Sequence, residues 1–379
     1  MIDVSVVIPS MNEARTIGIC IEKIKKVFKD YNINGEIIVS DNSSDETPEI
    51  ARKLGAKVVT PDRKGYGYAY TYAFKHVQGK YIVIGDADNT YDFLEMPKLL
   101  EPLMKDEADI VIGSRFKGEI KKGAMPWLHK YIGNPLLTYF LNIFYKAGIS
   151  DAHSGFRALT REALEKMQLR ADGMEFSSEM IMEAIMRGLR IKEIPIIYYP
   201  REVNCSKLRS FKDGWRHIEF MLIHTPKYLY YIPGLIMLIL GLSLLFVMNL
   251  TTVRIGNISL GVHSIVLSSL LAIFGYQLLF LGVFSGLYIN FYRKWKISDR
   301  LTNFILKHAS LIKGIMIGLI IFLSGLLYLL GFLFQWIQSG FIQLPLLSQD
   351  MLGFTLLIIG LQTMFNSFFL SMLIKLVHK

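Results

Sequence analysis

The sequence contains little cysteine, no internal repeat and no low-complexity linker. Cys20 and Cys205 are the only cysteines among its 379 residues. Two cysteines exclude a disulfide framework and a cysteine-based metal cluster. The chain begins Met-Ile-Asp-Val and continues directly into a strand-like run, so we expect no signal peptide.

Charged residues are nearly absent from four long segments in the second half of the chain. The sequence is 52% hydrophobic, its mean hydropathy is +0.35, and the excess lies after residue 230. Each segment reaches the roughly 20 residues that a helix needs to cross a bilayer. Four in succession favour membrane spans over the buried helices of a large soluble core. The predicted spans are Tyr231–Leu250, Ile258–Phe291, Gly314–Ile337 and Met351–Ile374.

Basic residues beside the predicted spans indicate the orientation in the membrane. The connection after the first span carries only Arg254, and the connection after the third carries no basic residue. The tail ends with Lys375, His378 and Lys379. Because positively charged loops stay on the cytoplasmic side, we expect a multi-pass cell-membrane protein whose N-terminal domain is cytoplasmic. The loop after the second span contains Arg293, Lys294, Lys296, Arg300, Lys307 and Lys313.

The formal net charge of +10 suits an anionic membrane face and phosphorylated substrates. Nucleic acid is the other partner that such a charge attracts. The cations lie beside the spans, however, so we expect binding to the membrane and not to nucleic acid.

Strand-like and helix-like segments alternate along the first 205 residues. This alternation predicts an α/β domain with a mostly parallel sheet, whose ligands bind beyond the carboxyl ends of the strands. The predicted domains are 1–209, an amphipathic interfacial helix over 210–229, and a membrane domain over 230–379. The predicted strands are Ser5–Pro9, Glu36–Asp41, Lys57–Val59, Tyr81–Asp86, Asp109–Ser114 and Glu193–Tyr199. The predicted helices include Ala14–Phe28, Pro48–Leu54, Tyr66–Val77 and Glu95–Lys105.

Asp86 and Asp88 follow a short apolar run that reads as a buried strand. At a strand end, side chains two residues apart lie on one face, so both carboxylates can point into one site. Two carboxylates there repel each other unless a cation lies between them. Such oxygen ligands suit Mg²⁺ or Mn²⁺ carrying a substrate diphosphate. A helix cap or turn is the structural alternative.

Two further segments have the pattern of helices at a membrane interface. Pro135–Tyr145 is strongly apolar, too short to span, and flanked by Lys130 and Lys146. In the second segment, apolar residues recur at helical spacing from Phe211 to Leu222, with basic residues between them. Ordinary packing against the domain is the alternative for both segments.

Seven short motifs resemble those of the inverting family 2 glycosyltransferases with a GT-A fold. The chain is most similar to the polyprenyl-phosphate hexose synthases, typified by dolichyl-phosphate mannose and glucose synthases, over about residues 3–228. In order the motifs are VVIPSMNE at 6–13, VSDNSSD at 39–45, GYG at 65–67, DAD at 86–88, GSRF at 113–116, DAHSGFR at 151–157 and SKL at 206–208.

The resemblance implies a nucleotide-sugar donor site. The aspartate pair would lie at the metal, with Asp88 as the principal ligand and Asp86 also near the ribose. Arg201 and Lys207 would close over the phosphates, unless they belong to a solvated basic loop. The remaining donor-binding residues implied by the resemblance are Pro9, Asn12, Glu13, Asp41 and Gly65.

The implied acceptor is a dolichyl or polyprenyl phosphate. Arg115 is the expected catalytic and phosphate-binding cation, because its guanidinium fork matches phosphate oxygens. His129 and Ser154 are the other expected acceptor-phosphate residues. His129 and Gly133 stand where the mannose synthases carry Arg and Ser, and Thr90 stands where they carry a Gln ligand. These departures favour UDP-glucose or a UDP-N-acetylhexosamine as donor, with GDP-mannose possible.

Two alternatives stay open at this point. A processive polysaccharide synthase would carry a Gln-x-x-Arg-Trp motif before the spans, whereas this chain has Asp213-Gly214-Trp215-Arg216. A lipid-carrier flippase or scaffold with an inactive transferase domain is the alternative from another class. The intact Asp-x-Asp pair and Arg115 argue against such a loss of activity.

Overall fold

The protein divides into two compact units, Met1–Met221 and Leu222–Lys379, in a computed structural model of the full chain. The structure describes residues 2–202, 210–251, 253–255, 258–293, 295, 304, 310–342 and 347–377.

The first unit contains a seven-stranded mixed sheet. Its strands are β1 (Val4–Ser10), β2 (Gly35–Asp41), β3 (Lys57–Val59), β4 (Tyr81–Ile84), β5 (Ile110–Ile120), β6 (Arg157–Thr160) and β7 (Ile191–Tyr198). They are arranged in the order β3-β2-β1-β4-β6-β5-β7. β1 pairs in parallel with β2 and β4, while β6 runs antiparallel to both β4 and β5. The predicted α/β domain with a mostly parallel sheet is therefore confirmed.

β6 is the one strand of this sheet that the sequence pattern did not predict. It has only four residues, and it begins with the charged residue Arg157. Arg157 is almost fully buried because its guanidinium donates to the carbonyl oxygens of Ala152, Ser154 and Ser177. These acceptors become visible only in the folded chain, so the pattern of apolar residues could not reveal this strand.

Helices cover the sheet through apolar faces of helical period. In α1, the buried positions Ile17, Ile21 and Ile24 belong to the same core cluster as Val6 and Ile8 of β1. Burial of such side chains contributes roughly 1.5–3 kcal/mol each. The helices of this part are α1 (Ile17–Asp30), α2 (Thr47–Lys53), α3 (Tyr66–Ala73), α4 (Met96–Met104), α5 (Asn134–Tyr145), α6 (Arg161–Lys166), α7 (Phe176–Met186) and α8 (Ser210–Ile223).

The second unit contains four helices that are long and apolar enough to cross a membrane. They are Ile232–Leu250, Val262–Arg293, Leu311–Gln338 and Leu347–Val377. The second helix starts four residues later than predicted, because Arg254–Ile255 and Ile258–Ser259 form a short antiparallel pair. The prediction of a multi-pass membrane protein is confirmed.

Glycines allow the first and second apolar helices to approach closely. A Cβ atom on Gly241 would lie 2.4 Å from the backbone nitrogen of Ala272, and one on Gly275 would lie 2.3 Å from that of Leu238. Small residues at such contacts let helix backbones pack tightly in a bilayer, where apolar burial between helices contributes little.

The two segments predicted to lie at the membrane interface are both helical. α5 buries Leu137 and Leu141 but exposes Tyr139, so it packs on the domain with one face only. On α8, His217 is buried while Trp215 is 62% exposed. Each helix thus combines the predicted apolar exposure with the alternative of ordinary packing.

Candidate active site

Polar residues gather at one edge of the sheet, beyond the carboxyl ends of its parallel strands. β1, β2 and β4 are neighbours in the sheet, and they end at Ser10, Asp41 and Ile84. Because β6 runs in the opposite direction, the loop 151–156 that precedes it reaches this same edge. The edge therefore brings together the sequence motifs at 6–13, 39–45, 86–88 and 151–157.

The first two motifs are joined by a hydrogen-bond network around Asp41. Its Oδ1 accepts from the hydroxyls of Ser10 at 2.6 Å and Ser43 at 2.5 Å. Asn12 adopts a left-handed conformation with φ of 57°, which Asn tolerates better than most residues. Its backbone N–H donates to Ser43 Oγ at 2.7 Å, and its Oδ1 accepts from the N–H of Ser44 at 2.9 Å. This network forms a polar wall at the edge of the sheet.

Pro9 and Glu13 flank this wall. Pro9 lies opposite Ser40 in the register of β1 with β2. The backbone N–H of Glu13 donates to Thr47 Oγ1 at 3.0 Å, which fixes the turn into α1. Burial would lower the pKa of the Arg201 guanidinium, but the charge and hydrogen bond of Asp88, and next the charge of Glu13, raise it. The motif at 6–13 therefore borders both the Asp41 network and the aspartate pair.

Asp86 is held by a tyrosine that the sequence argument did not single out. The Tyr66 hydroxyl at the start of α3 donates to Asp86 Oδ1 at 3.0 Å. On the opposite side, a Cβ atom on Gly155 would lie 2.8 Å from Asp86 Oδ2, so only glycine fits there without a shift. Burial, and next the negative charge of Asp88, raise the pKa of Asp86 to about 7. A cation near this pair would stabilise the charged carboxylates and so lower the pKa of Asp86.

Asp88 is 5% exposed, and each of its carboxylate oxygens accepts a hydrogen bond. Its Oδ1 accepts from the Thr90 hydroxyl at 2.6 Å and from the Thr90 N–H at 3.1 Å. Its Oδ2 pairs with Arg201, whose Nη2 lies 2.5 Å away. Thr90, which stands where the mannose synthases carry a glutamine ligand, therefore orients the carboxylate. Arg201 is brought to the aspartate pair, and it lies where it could also meet a phosphate.

The two carboxylates fit a divalent cation that is also bound by a substrate. Among the residues that the structure describes, no group of three or more His, Cys, Asp or Glu side chains could hold a metal by itself. Mg²⁺ is commonly held by one or two carboxylates together with substrate phosphates and water. Asp86 and Asp88, with the raised pKa of Asp86, match that kind of site.

Arg115 lies in a buried ion pair that the sequence argument missed. Its Nε and Nη2 donate to the two carboxylate oxygens of Asp151, each at 2.8 Å, and its backbone N–H donates to Oδ2 at 3.0 Å. The guanidinium also lies 5.2 Å from the centre of the Tyr198 ring. Burial alone would raise the pKa of Asp151, but the Arg115 charge and hydrogen bonds hold it below its usual value.

The other two residues expected at the acceptor phosphate are His129, which is near Arg115, and Ser154, which is buried. His129 is half-buried, and burial together with the nearby charge of Arg115 lowers its pKa. It therefore lies near the expected phosphate-binding cation. Ser154 is fully buried, and its Oγ accepts from the N–H of Phe156 at 3.4 Å. Lys207 lies outside the described residues.

Gly65 owes its importance to packing against a loop. A Cβ atom there would lie 2.4 Å from the carbonyl oxygen of Asp172, and one on Gly67 would lie 2.1 Å from that of Ala171. The same loop is held by buried Glu179, whose carboxylate accepts from the N–H of Ala171 at 2.8 Å. This packing positions the start of α3, and with it Tyr66. The sequence signal that could have pointed to Tyr66 was its position between the two glycines of the GYG motif.

Comparisons with known proteins extend over both units. Residues 5–168 match the family described as Glycosyl transferase family 2. Residues 287–374 match the Glycosyltransferase family 2 C-terminal transmembrane region. The low-salt glycan biosynthesis hexosyltransferase Agl6 of Haloferax volcanii is 47% identical over 369 residues, 97% of this chain and 88% of that protein. A dolichyl-phosphate hexose transferase of the same organism is 34% identical over 214 residues, 56% of this chain and 89% of that protein.

A solved structure supports the fold of the first unit. The crystal structure of a mycobacterial protein has a TM-score of 0.50 and 24% identity, covering 59% of this chain and 74% of that chain. Glucosyl-3-phosphoglycerate synthase from Mycobacterium tuberculosis, solved with Mn²⁺ and UDP-glucose, has a TM-score of 0.47 and 25% identity over 58% of this chain and 78% of that one. The mixed sheet is a Rossmann-like GT-A domain, as predicted.

Proposed function

Since the chain belongs to glycosyl transferase family 2, we propose that this hexosyltransferase acts on a nucleotide sugar and a dolichyl or polyprenyl phosphate. One observation carries the proposal: a single loop touches both a buried arginine and the paired-carboxylate site. Asp151 of this loop holds the Arg115 guanidinium at 2.8 Å, and Gly155 of the same loop lies against Asp86. A diphosphate at the aspartates and a phosphate acceptor at Arg115 would therefore lie side by side.

The proposed reaction needs no general base. A phosphate monoester has a second pKa of about 6, so the lipid phosphate is largely a dianion at neutral pH. One of its oxygens attacks the anomeric carbon from the face opposite the leaving group, and a new C–O bond forms with inversion. The bond to the nucleoside diphosphate breaks, and its electron pair leaves with that group. Asp86 and Asp88 would hold Mg²⁺ or Mn²⁺, whose charge offsets the charge of the leaving diphosphate.

The favoured donors are UDP-glucose and a UDP-N-acetylhexosamine, with GDP-mannose as the remaining possibility. Two departures from the mannose synthases support this choice, His129 and Thr90. Thr90 is 2% exposed and bonds to Asp88, so it supports a metal ligand instead of extending to the metal itself. Base and ribose would lie along the Asn12–Asp41 network.

Exposed apolar residues support placement of the site at a bilayer surface. Tyr139 of α5 and Trp215 of α8 are about equally exposed, at 59% and 62%. Trp127, just before the turn that leads into α5, is 66% exposed. Aromatic rings with neighbouring basic residues are typical of helices in the headgroup region. In this proposal residues 1–209 carry catalysis on the cytoplasmic side, 210–229 lie at the interface and 230–379 anchor the chain.

Incubation of the purified full-length protein with radiolabelled nucleotide sugars and polyprenyl phosphate tests the proposal. The expected result is a chloroform-soluble, mild-acid-labile product from one UDP-sugar. A water-soluble polymer would instead identify a processive polysaccharide synthase. Lipid movement between leaflets without any sugar transfer would identify a lipid-carrier flippase, and either result would overturn the proposal.

We expect replacement of the exposed aromatics by aspartate to weaken transfer to long-chain lipid phosphates. Tyr139→Asp combined with Trp215→Asp should reduce this transfer about tenfold or more, because two exposed rings that would insert into the membrane interface are exchanged for charges that the membrane repels. Transfer to a short, soluble acceptor should stay unchanged. Both rates are measured with the same donor. The matched control is Tyr31→Asp, at a similarly exposed aromatic residue after α1. Equal losses with both acceptors would contradict membrane docking.

We also expect Tyr66→Phe to raise the metal concentration that gives half-maximal activity about tenfold. Partners that orient a ligand typically contribute 10–100-fold to metal affinity, and the Tyr66 hydroxyl donates to Asp86. The rate at saturating metal should change much less. Titration of activity with Mn²⁺ measures both quantities. Tyr72→Phe removes a hydroxyl from the same helix and serves as control; an unchanged titration for Tyr66→Phe would exclude this role.

A further inference from the structure

Three side chains outside the proposed substrate contacts form a hydrogen-bonded chain between the loop 151–156 and α8. Nε2 of His153 lies 3.2 Å from Oγ of Ser178, and the same Oγ lies 2.8 Å from Nδ1 of His217. The two imidazole rings meet edge to face with their centroids 4.5 Å apart. Ser178 is fully buried, and His217 is nearly so. One hydroxyl on α7 thus joins two histidines from distant parts of the sequence.

The burial of this cluster determines which atom donates and which accepts in its two hydrogen bonds. Burial, and next the nearby His217, lower the pKa of His153 well below its usual range, so His153 is neutral and carries one ring proton. Its Nδ1 is buried without a hydrogen-bond partner among the described residues. A proton on Nε2 therefore leaves no buried donor unpaired at this ring. Nε2–H then donates to Ser178 Oγ, and the Ser178 proton is donated to His217 Nδ1.

At one end of this hydrogen-bonded series, His153 belongs to the loop that shapes the proposed acceptor side of the site. His153 lies between Asp151, which holds Arg115, and Gly155, which lies against Asp86. The N–H of Gly155 also donates to the Tyr91 hydroxyl at 2.8 Å. A shift of His153 would therefore move the residues that fix both the arginine and one of the aspartates.

At the other end of the hydrogen-bonded series, His217 belongs to the amphipathic helix α8. His217 lies two residues from the exposed Trp215. A second contact holds the same helix, since the Tyr145 hydroxyl of α5 donates to the carbonyl oxygen of Met221 at 3.4 Å. The buried face of α8 is therefore bonded to the catalytic fold while its aromatic face points outward.

We propose that His153, Ser178 and His217 are positioning residues. They couple the position of α8 on the first unit to the orientation of the Arg115–Asp151 pair. This inference rests on the proposed transfer to a lipid phosphate. The chain acts through Asp151 at one end and through the membrane-facing helix at the other. Its loss should therefore weaken binding of the lipid acceptor while binding of the nucleotide sugar is retained.

Kinetics of full-length variants in mixed micelles test the coupling. Ser178→Ala removes both hydrogen bonds and should raise KM for undecaprenyl phosphate about tenfold, with KM for the nucleotide sugar changed less than about twofold. His217→Leu should reproduce this effect. His217→Asn, whose amide occupies the position of Nδ1, should remain close to wild type. Ser177→Ala removes a hydroxyl from the adjacent position of α7 and is the matched control. Equal increases in both KM values, or no rescue by Asn, would reduce the cluster to ordinary packing.

Hydrogen–deuterium exchange of the same proteins gives a readout that does not depend on activity. In Ser178→Ala, amide exchange should accelerate in both 150–156 and 214–221, and in His217→Asn it should remain slow. Acceleration confined to α8 would overturn the coupling even if lipid transfer is confirmed. If the wild type makes no lipid-linked sugar, the proposed function fails, while the exchange result still decides whether helix and loop are coupled.

Discussion

Asp88→Asn should lower the rate of hexosyl transfer about 10³-fold while leaving the fold intact. A loss of this size corresponds to about 4 kcal/mol of transition-state stabilisation, in the range expected when a metal that assists a leaving group is lost. The amide has the same shape as the carboxylate and keeps one oxygen for Thr90, so we expect little change in stability. Because its partner Arg201 is partly exposed and can be solvated, loss of that ion pair should lower the free energy of unfolding only slightly. Initial rates and thermal unfolding measured on the same preparations check both statements.

Asp92→Asn is the matched control for this variant. Asp92 lies four residues further along the same segment, and its Oδ1 caps the short helix at Phe93–Glu95, a role that Asn can also fill. The control should keep nearly full activity. Full turnover of the wild-type protein in excess chelator would contradict the metal assignment, whatever the variant shows.

Arg115→Gln should abolish most lipid transfer and should also lower the free energy of unfolding by about 3–5 kcal/mol. The stability loss arises because Asp151, which is fully buried, would keep its charge without its partner. Arg115→Ala would therefore mix two effects, a missing phosphate contact and a stranded carboxylate. Denaturant unfolding of the purified variants measures the stability term directly.

The double variant Arg115→Gln with Asp151→Asn separates these two effects. Replacing both charges by amides removes the stranded carboxylate, so most of the stability should return. The KM for lipid phosphate should remain at least about tenfold above wild type, because a charge-assisted contact of about 1.5–3 kcal/mol is still missing. Recovery of both stability and lipid KM in the double variant would show that Arg115 has a purely structural role.

Individual residues show why part of the site was predictable and part was not. Asp86 and Asp88 are recognisable because they follow a buried strand two residues apart, and this local pattern is sufficient. Arg115 was also predicted because it follows the predicted strand Asp109–Ser114, although β5 continues to Ile120 and Arg115 lies within it. Its partner Asp151 lies 36 residues away and meets it only because β6 pairs with the first part of β5, which brings the loop before β6 beside Arg115. The lipid-phosphate role of Arg115 stays a prediction.

Tyr66 and Gly155 illustrate the same limit. The contacts of Tyr66 with Asp86, and of Gly155 with the other side of that carboxylate, depend on how α3 and the loop 151–156 pack together. Ser154, which the resemblance assigns to the acceptor phosphate, is fully buried by the same loop conformation, and that assignment stays a prediction. A motif identifies the residues that belong together, but it does not say which of them faces the site.

The sequence by itself determined the features that depend on local pattern. It specified an α/β domain, four membrane helices and the family motifs, because hydrophobic periodicity and span length act over neighbouring residues. The tertiary structure decided the partner of each polar side chain. Arg201 reaches Asp88 across 113 positions, and Ser178 joins His153 to His217 across 25 and 39. Such pairs form only after the sheet order and loop directions are established, because burial then obliges each polar group to find a partner.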